Sequence, residues 1–335
     1  MTNNTARTLV TGAAVVALAL SGCASSDEGG TTFSGAPIRW IMPSGAGGGN
    51  DATSRQLLPF LAEQLDTNIT VENHEGGGYA IGSQVMLTNG ADCTSILTHG
   101  IPQLMFSYMT QSVDYDLSSF APVGGMTIEP GVLRVRNDAP WQTINEFVED
   151  AKQRPGQIKV SVSDVQTPNY IALLQMEEEL GIDLNIIDYD GGGPARTSVV
   201  SGEVDANHAG VFNSLAVADD TRVLAVFQPE NKWPEVTDNA PAINDALGVD
   251  LPPNAANYVV YASAECRDNN PERYQLLVDA LKTAMEDPAY LETLAELGEA
   301  SKVSYLSPDE LQALTEQSQS DIEQLLETNP NAFSG

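Results

Sequence analysis

The chain has 335 residues, with 46 acidic against 15 basic side chains and a formal charge of −31, so it is long enough for two ordinary domains and strongly acidic. Such a surface excludes nucleic acid as a partner. The acidic residues are dispersed, as at Glu146, Glu149 and Asp150, and read as a solvated skin. Because the whole protein repels anions at long range, any anion site must be local and built from backbone.

Arg7 is the lone charge of the leader, and Val10 to Leu20 form an apolar run too short for a comfortable transmembrane helix. Residues 1–22 therefore read as a secretion signal. Leu20-Ser21-Gly22-Cys23 resembles a bacterial lipobox. That resemblance implies lipidation at Cys23 and attachment to the outer face of the cell membrane; the alternative is an ordinary signal peptide that holds a cysteine. Residues 23–35 are small and polar, a flexible tether. No later run approaches transmembrane length. Two cysteines follow, Cys93 and Cys266, which in an oxidising compartment read as a disulfide or as two buried free thiols.

Ile38 to Met42 are bulky and apolar between Pro37 and Pro43, predicting a buried strand. Ser44 to Gly49 lose their side chains, Asn50 and Asp51 are N-cap candidates, and Leu57, Leu58, Leu61 and Leu65 fall on one helical face. Strand, glycine loop and helix start place bare N–H groups and a positive dipole end together, which suits an anion. The loop matches neither the P-loop nor G-x-G-x-x-G, so a tight turn with no ligand is the alternative. Pro59 should kink the helix or cost it a hydrogen bond.

The pattern repeats. Ile69–Glu72 is a strand before Gly76-Gly77-Gly78, Tyr79 to Thr88 a helix, and Cys93–Thr98 a third strand with His99-Gly100-Ile101-Pro102 as its exit loop. Three such units predict a parallel sheet flanked by helices. Ala121–Met126 and Val132–Val135 are strands with no helix between them, a crossing into a second lobe. There Thr143–Gln153 and a segment ending at Leu180 are helices, and 158–162, 184–189, 204–211 and 222–227 are strands. Loops Ser163 to Pro168 and Asp190 to Pro194 leave two of those strands. Asn257–Ala262 returns to the first lobe, and the end is helical from Pro271, its last helix opening with a Ser-Pro-Asp-Glu cap pattern. The expected fold class is α/β with two lobes, each a mainly parallel sheet flanked by helices: 36–121 with 254–335, and 122–253. Ligands in such folds bind beyond the carboxyl ends of strands, so the glycine loops of both lobes should share one cleft.

Several stretches resemble the substrate-binding proteins of tripartite tricarboxylate transporters, which have a two-lobed, type II-like periplasmic-binding-protein fold. They are Ile38 to Gly82 with Pro43, Gly47-Gly48-Gly49, Asp51, Arg55 and Val71-Glu72-Asn73, then Phe120-Ala121-Pro122-Val123, Pro155-Gly156, Tyr189-Asp190-Gly191 with Pro194-Ala195, Gly202-Glu203-Val204-Asp205 and Leu224-Ala225-Val226. The resemblance implies an exported, monomeric receptor that closes over a small carboxylate and delivers it to membrane permease subunits. By position it implies a ligand held by Ser44, Gly45, Gly47, Gly48, Gly49, Asn50 and Asp51; by Thr98, His99 and Gly100; by Ser163, Asp164 and Thr167; and by Gly191, Gly192, Gly193 and Pro194. Asp51 can then cap its helix, orient waters or meet a cationic group of the ligand. The second-lobe loop departs from the Ser- and Gly-rich pattern of the family: Asp164 opposes a tricarboxylate unless it pairs with a cation.

Other residues stay open. His99 can donate to a carboxylate or be a loop histidine. Arg196 can face an anion or solvent, His74 and His208 read as structural, and the three tryptophans as packing residues. No G-x-S-x-G, H-E-x-x-H or C-x-x-C occurs, so no catalytic residue, metal or cofactor is expected. A lipid-anchored sensor that reports occupancy to a signalling protein is the rival reading, and an exported enzyme the distant one.

Overall fold

The computed structural model describes Met1 and residues 32–328. Cys23 and the rest of the leader and tether before Thr32 lie outside the described residues. The elements in order are β1 (Ile38–Met42), α1 (Gly49–Leu65), β2 (Ile69–Asn73), α2 (Ala80–Asn89), β3 (Ser95–Ile101), α3 (Gln103–Met109) and β4 (Phe120–Arg136). Then come α4 (Ile144–Gln153), β5 (Lys159–Val162), α5 (Pro168–Leu180), β6 (Asn185–Asp188), α6 (Gly192–Ser201), β7 (Ala206–Gly210), a 3-10 segment (Phe212–Asp220) and β8 (Thr221–Val226). The chain ends with α7 (Ile243–Leu247), β9 (Ala255–Ser263), α8 (Ala264–Asn269), α9 (Pro271–Met285), α10 (Pro288–Glu296), β10 (Val303–Leu306) and α11 (Pro308–Thr328).

Two parallel trios form, β2-β1-β3 and β7-β5-β6, each closed by helical crossovers as expected. They are joined through β9 and β4, which run antiparallel to their neighbours, so the sheet as a whole is mixed. The two strands expected at 121–126 and 132–135 are one strand. β4 pairs with β9 from Phe120 to Pro130, then from Gly131 onward with β7 and β8. The reason is burial: nearly every β4 side chain from Phe120 to Val135 is covered, so the Pro130-Gly131 step has no reason to leave the sheet. Asn254, just before β9, accepts from the Gly131 N–H at 2.9 Å, which sets the two crossings side by side.

β1 shows why the first half is doubly covered. Ile38, Trp40 and Met42 enter one core with Leu57 and Leu61 of α1 and Leu277 and Leu281 of α9. Ile41 points into the opposite core with Met86, Leu104 and Leu311. This is the period of two that a strand buried on both faces requires. The second half has its own cores, Phe147, Val160, Leu173 and Leu224 on one face and Val132, Val226 and Trp233 on the other. Local signals place the helix ends. Thr143 and Glu146 form a reciprocal capping box at α4, and Ser307 and Glu310 do the same ahead of α11. Cys93, in the turn before β3, is bonded to Cys266 of α8, with Cα atoms 5.0 Å apart. Among the described residues no helix is long and apolar enough to cross a membrane.

Candidate functional site

The glycine loop leaves the carboxyl end of β1 and runs into α1 without a side-chain cap. Its shape is held from behind by Asp51. That side chain is 3% exposed; Oδ2 accepts the Gly47 N–H at 2.8 Å, and Oδ1 accepts Arg55 Nε at 2.9 Å and Asn73 Nδ2 at 3.0 Å. Burial alone would raise its pKa, but the bonds from Arg55, Gly47 and Asn73 outweigh it and hold the carboxyl below the usual range. Asn73 Nδ2 also donates to the Ser44 carbonyl, tying the loop to the end of β2. Asp51 is thus a strut of the loop and does not line the cleft. The first amides of α1, at Gly49 and Asn50, have no intrahelical acceptor, and both residues line the cavity.

A cleft of about 500 Å³ lies in front of this loop. Ser163, Asp164 and Thr167 between β5 and α5 line it, and so do Gly191, Gly192, Gly193 and Pro194 at the start of α6. Ser44, Gly45, Gly47, Gly48, Gly49 and Asn50 complete the predicted set that the fold brings together. Three helix N-termini, those of α1, α5 and α6, therefore converge on one space. A Cβ at Gly49 would stand 2.4 Å from Tyr258 Oη and 2.7 Å from Asn213 Nδ2, so any side chain there displaces these two lining residues. A cavity of similar size, about 520 Å³, lies under α11 against Tyr108, Phe120 and Tyr261. It is away from the glycine loops, and the cleft is the better candidate because helix N-termini meet there.

Thr98, His99 and Gly100 are not in the lining. They lie within β3, wholly buried, because that strand runs on to Ile101 where an exit loop was expected. Thr98 Oγ1 accepts from Trp40 Nε1 at 2.8 Å and from Ser54 at 3.0 Å, a bracket between β1, α1 and β3. His99 Nδ1 faces the Gly100 carbonyl at 3.2 Å, and burial pushes its pKa down to about 3, so the ring is neutral. Its edge packs on Tyr79, which does reach the cleft.

The sequence reading missed Glu75, Tyr79, Gln103, Asn169, Asn213 and Tyr258, all on the lining. Tyr258 comes from β9, more than 200 residues after the glycine loop, and no local pattern marks it. Asn207 and His208, read as unremarkable strand residues, line the floor, and burial pushes His208 down to about 3. Arg196 lies on the cleft side, with its guanidinium folded over Gly192. Burial lowers its pKa, while Glu129 and Tyr258 favour its charge. Glu129 is fully buried on β4 beside the partner change; its Oε1 accepts the Asn213 N–H at 2.9 Å, yet burial pushes its carboxyl up to about 7.

A sequence profile of the tripartite tricarboxylate transporter family receptor matches residues 53–326. A UPF0065 protein of Bordetella pertussis is 26% identical over 208 residues, covering 61% of this chain and 64% of that protein. This chain thus matches slightly less than two thirds of that relative's length. MatC of Rhodopseudomonas palustris, solved with bound malate, superposes with a TM-score of 0.73 at 20% identity, over 87% of this chain and 98% of that one. A second R. palustris protein, solved with adipate, gives 0.75 at 20% identity over 87% and 96%. The fold is that of periplasmic binding proteins, and the profile spans most of the chain. The protein therefore belongs to the tripartite tricarboxylate transporter receptor family, a family of solute-binding receptors.

Proposed function

We propose that this protein binds a small carboxylate in the cleft and delivers it to membrane permease subunits. The observation that carries the reading is the convergence of three helix N-termini and Arg196 on one cavity of about 500 Å³ in an otherwise acidic protein. Backbone amides supply the local positive field that the overall charge denies. The malate and adipate held by the two similar structures support a carboxylate as the class of ligand.

The lobes we assign, 36–121 with 254–335 and 122–253, close about the adjacent crossings of β4 and β9. Ligand binds the closed arrangement better than the open one, and that difference drives closure. The loop set Ser44 to Asn50, Ser163 to Thr167 and Gly191 to Pro194 forms the binding surface, with Asp51 as its strut. Cys23 carries the lipid that keeps the receptor at the outer face of the membrane; with serine there, the protein should leave the membrane fraction.

The test is a thermal-shift screen of the mature chain against mono-, di- and tricarboxylates. A ligand specific for the native state raises the midpoint by mass action. Gly48→Val, whose Cβ meets the Gly45 carbonyl at 3.2 Å at the N-cap of α1, should reduce that rise while lowering the unliganded midpoint only modestly. An undiminished rise in this variant would remove the loop from the site.

A further inference from the structure

We propose that the solute of this cleft carries a protonated nitrogen as well as a carboxylate, and that Asp164 selects for it. The inference rests on the cleft being the carboxylate site. Three carboxylates, Glu75, Asp164 and Asp190, line the cavity against one guanidinium, Arg196. Among the described residues none of these four has an ion-pair partner. A tricarboxylate would bring further negative charge into a space whose fixed charge is already negative, whereas a zwitterion adds none.

Asp164 is placed to discriminate. It is partly buried on the β5–α5 loop, with Oδ1 accepting the Gln166 N–H at 2.6 Å. Burial first, and then the like charges of Asp188 and Asp190, raise its pKa, and no ion pair joins it to Arg196 among the described residues. The one cleft cation therefore does not neutralise Asp164, and the Tyr79 phenol beside it is neutral because burial raises its pKa. A partly buried carboxylate with only like charges around it calls for a cation.

Asn207 makes the same demand independently. The residue is wholly buried on the cleft floor, and its Nδ2 donates to Ser161 O at 3.1 Å and Ser161 Oγ at 2.9 Å. Those bonds fix the orientation of the amide and leave Oδ1 with no partner among the described residues. A buried acceptor left unmatched needs an N–H or O–H donor. An ionised carboxylate has none to give, a hydroxyl has one and an ammonium group three, and of these only the ammonium group also answers Asp164. The ligand that fits both observations puts its carboxylate at the helix N-termini and Arg196, and its ammonium group toward Asp164.

The experiment is calorimetric titration of the mature chain at pH 7 with the common amino acids, each paired with the same acid lacking its amine, and with citrate. We expect one amine-bearing acid to bind at least about tenfold tighter than its partner, the effect of one hydrogen bond to a charged group. Asp164→Asn should bring that ratio close to one without lowering the unliganded midpoint, and Asp190→Asn should reduce it less. Tighter or equal binding by an amine-free acid or citrate overturns the zwitterion and leaves the carboxylate receptor standing. So does an Asp164→Asn variant that keeps the full preference. If no carboxylate of either kind binds, both readings fall. Should Asp164→Asn not fold, the wild-type ratio decides alone.

Discussion

Asp51→Asn is the most informative single change, because it keeps the shape of the strut and removes its chemistry. In the native protein Oδ2 accepts the Gly47 N–H at 2.8 Å, and Oδ1 takes Arg55 and Asn73. The amide can still present its oxygen to Arg55 and Asn73, but its Nδ2 then meets the Gly47 N–H donor to donor. Gly47 is an exposed residue and this bond is only part-buried, so water takes up part of the loss and the cost is that of an ordinary hydrogen bond, about 1 kcal/mol. The lost charge attraction adds little, since the Arg55 side chain is 49% exposed and the exposed pair is screened to about 0.5 kcal/mol. The sum is about 1.5 kcal/mol, which for a chain of this size lowers the midpoint by roughly 3–6 °C. Differential scanning calorimetry of the unliganded protein reads this directly. A carboxylate identified in the thermal-shift screen should also bind more weakly, because the loop loses the tie that shapes it. A midpoint within about 1 °C of wild type would show that the Gly47 amide finds another acceptor and that Asp51 is no strut.

Glu129 has a raised folded pKa of about 7, against an ordinary carboxyl near 4.5. A raised acid favours the protonated folded state, so its share of stability is fully present below about pH 4.5 and is lost as pH rises through 7. Glu129→Gln should flatten the fall in midpoint across that window; an unchanged profile would mean that the carboxyl is solvated. Gly49→Ala pushes a methyl within 2.4 Å of Tyr258 Oη and should cut carboxylate affinity at least about tenfold; titration calorimetry at the wild-type value would show that the contact yields freely. Replacing Cys93 and Cys266 together by serine opens a loop of 173 residues. By the loop-entropy argument it should cost about 5 kcal/mol, and a denaturation midpoint equal to wild type in urea would contradict it.

Much of this architecture was legible in order. β1 and the last helices lie where apolar periodicity, prolines and caps put them, because those signals are local: a strand buried on both faces must be continuously apolar, and a Ser-x-x-Glu box closes on itself. The resemblance in Ile38 to Gly82 carried the glycine loop to the cleft for the same reason, since a loop built from backbone depends on its own residues. Asp51 was visible as important, yet not as a strut, because two of its partners, Asn73 and the Gly47 amide, lie outside α1. Where a strand ends was less visible. His99-Gly100 looks like a loop exit by composition and is strand because β9 pairs with it. β4 looks like two strands interrupted at Pro130-Gly131 and is one, because burial on both sides and a change of partner carry it through.

Sequence by itself determined the alternation of strands and helices, the bare amides of the glycine loop and the excess of negative charge, all properties of residues and their near neighbours. Only the tertiary structure decided which side chains share the cleft. Glu75, Ser163, the stretch from Arg196 to Asn213 and Tyr258 come from segments far apart in the chain and meet through the crossings of β4 and β9. Their chemistry depends on that meeting, since a carboxylate becomes hard to ionise, and an amide oxygen becomes an empty acceptor, only after burial has taken away the water that would otherwise have satisfied them.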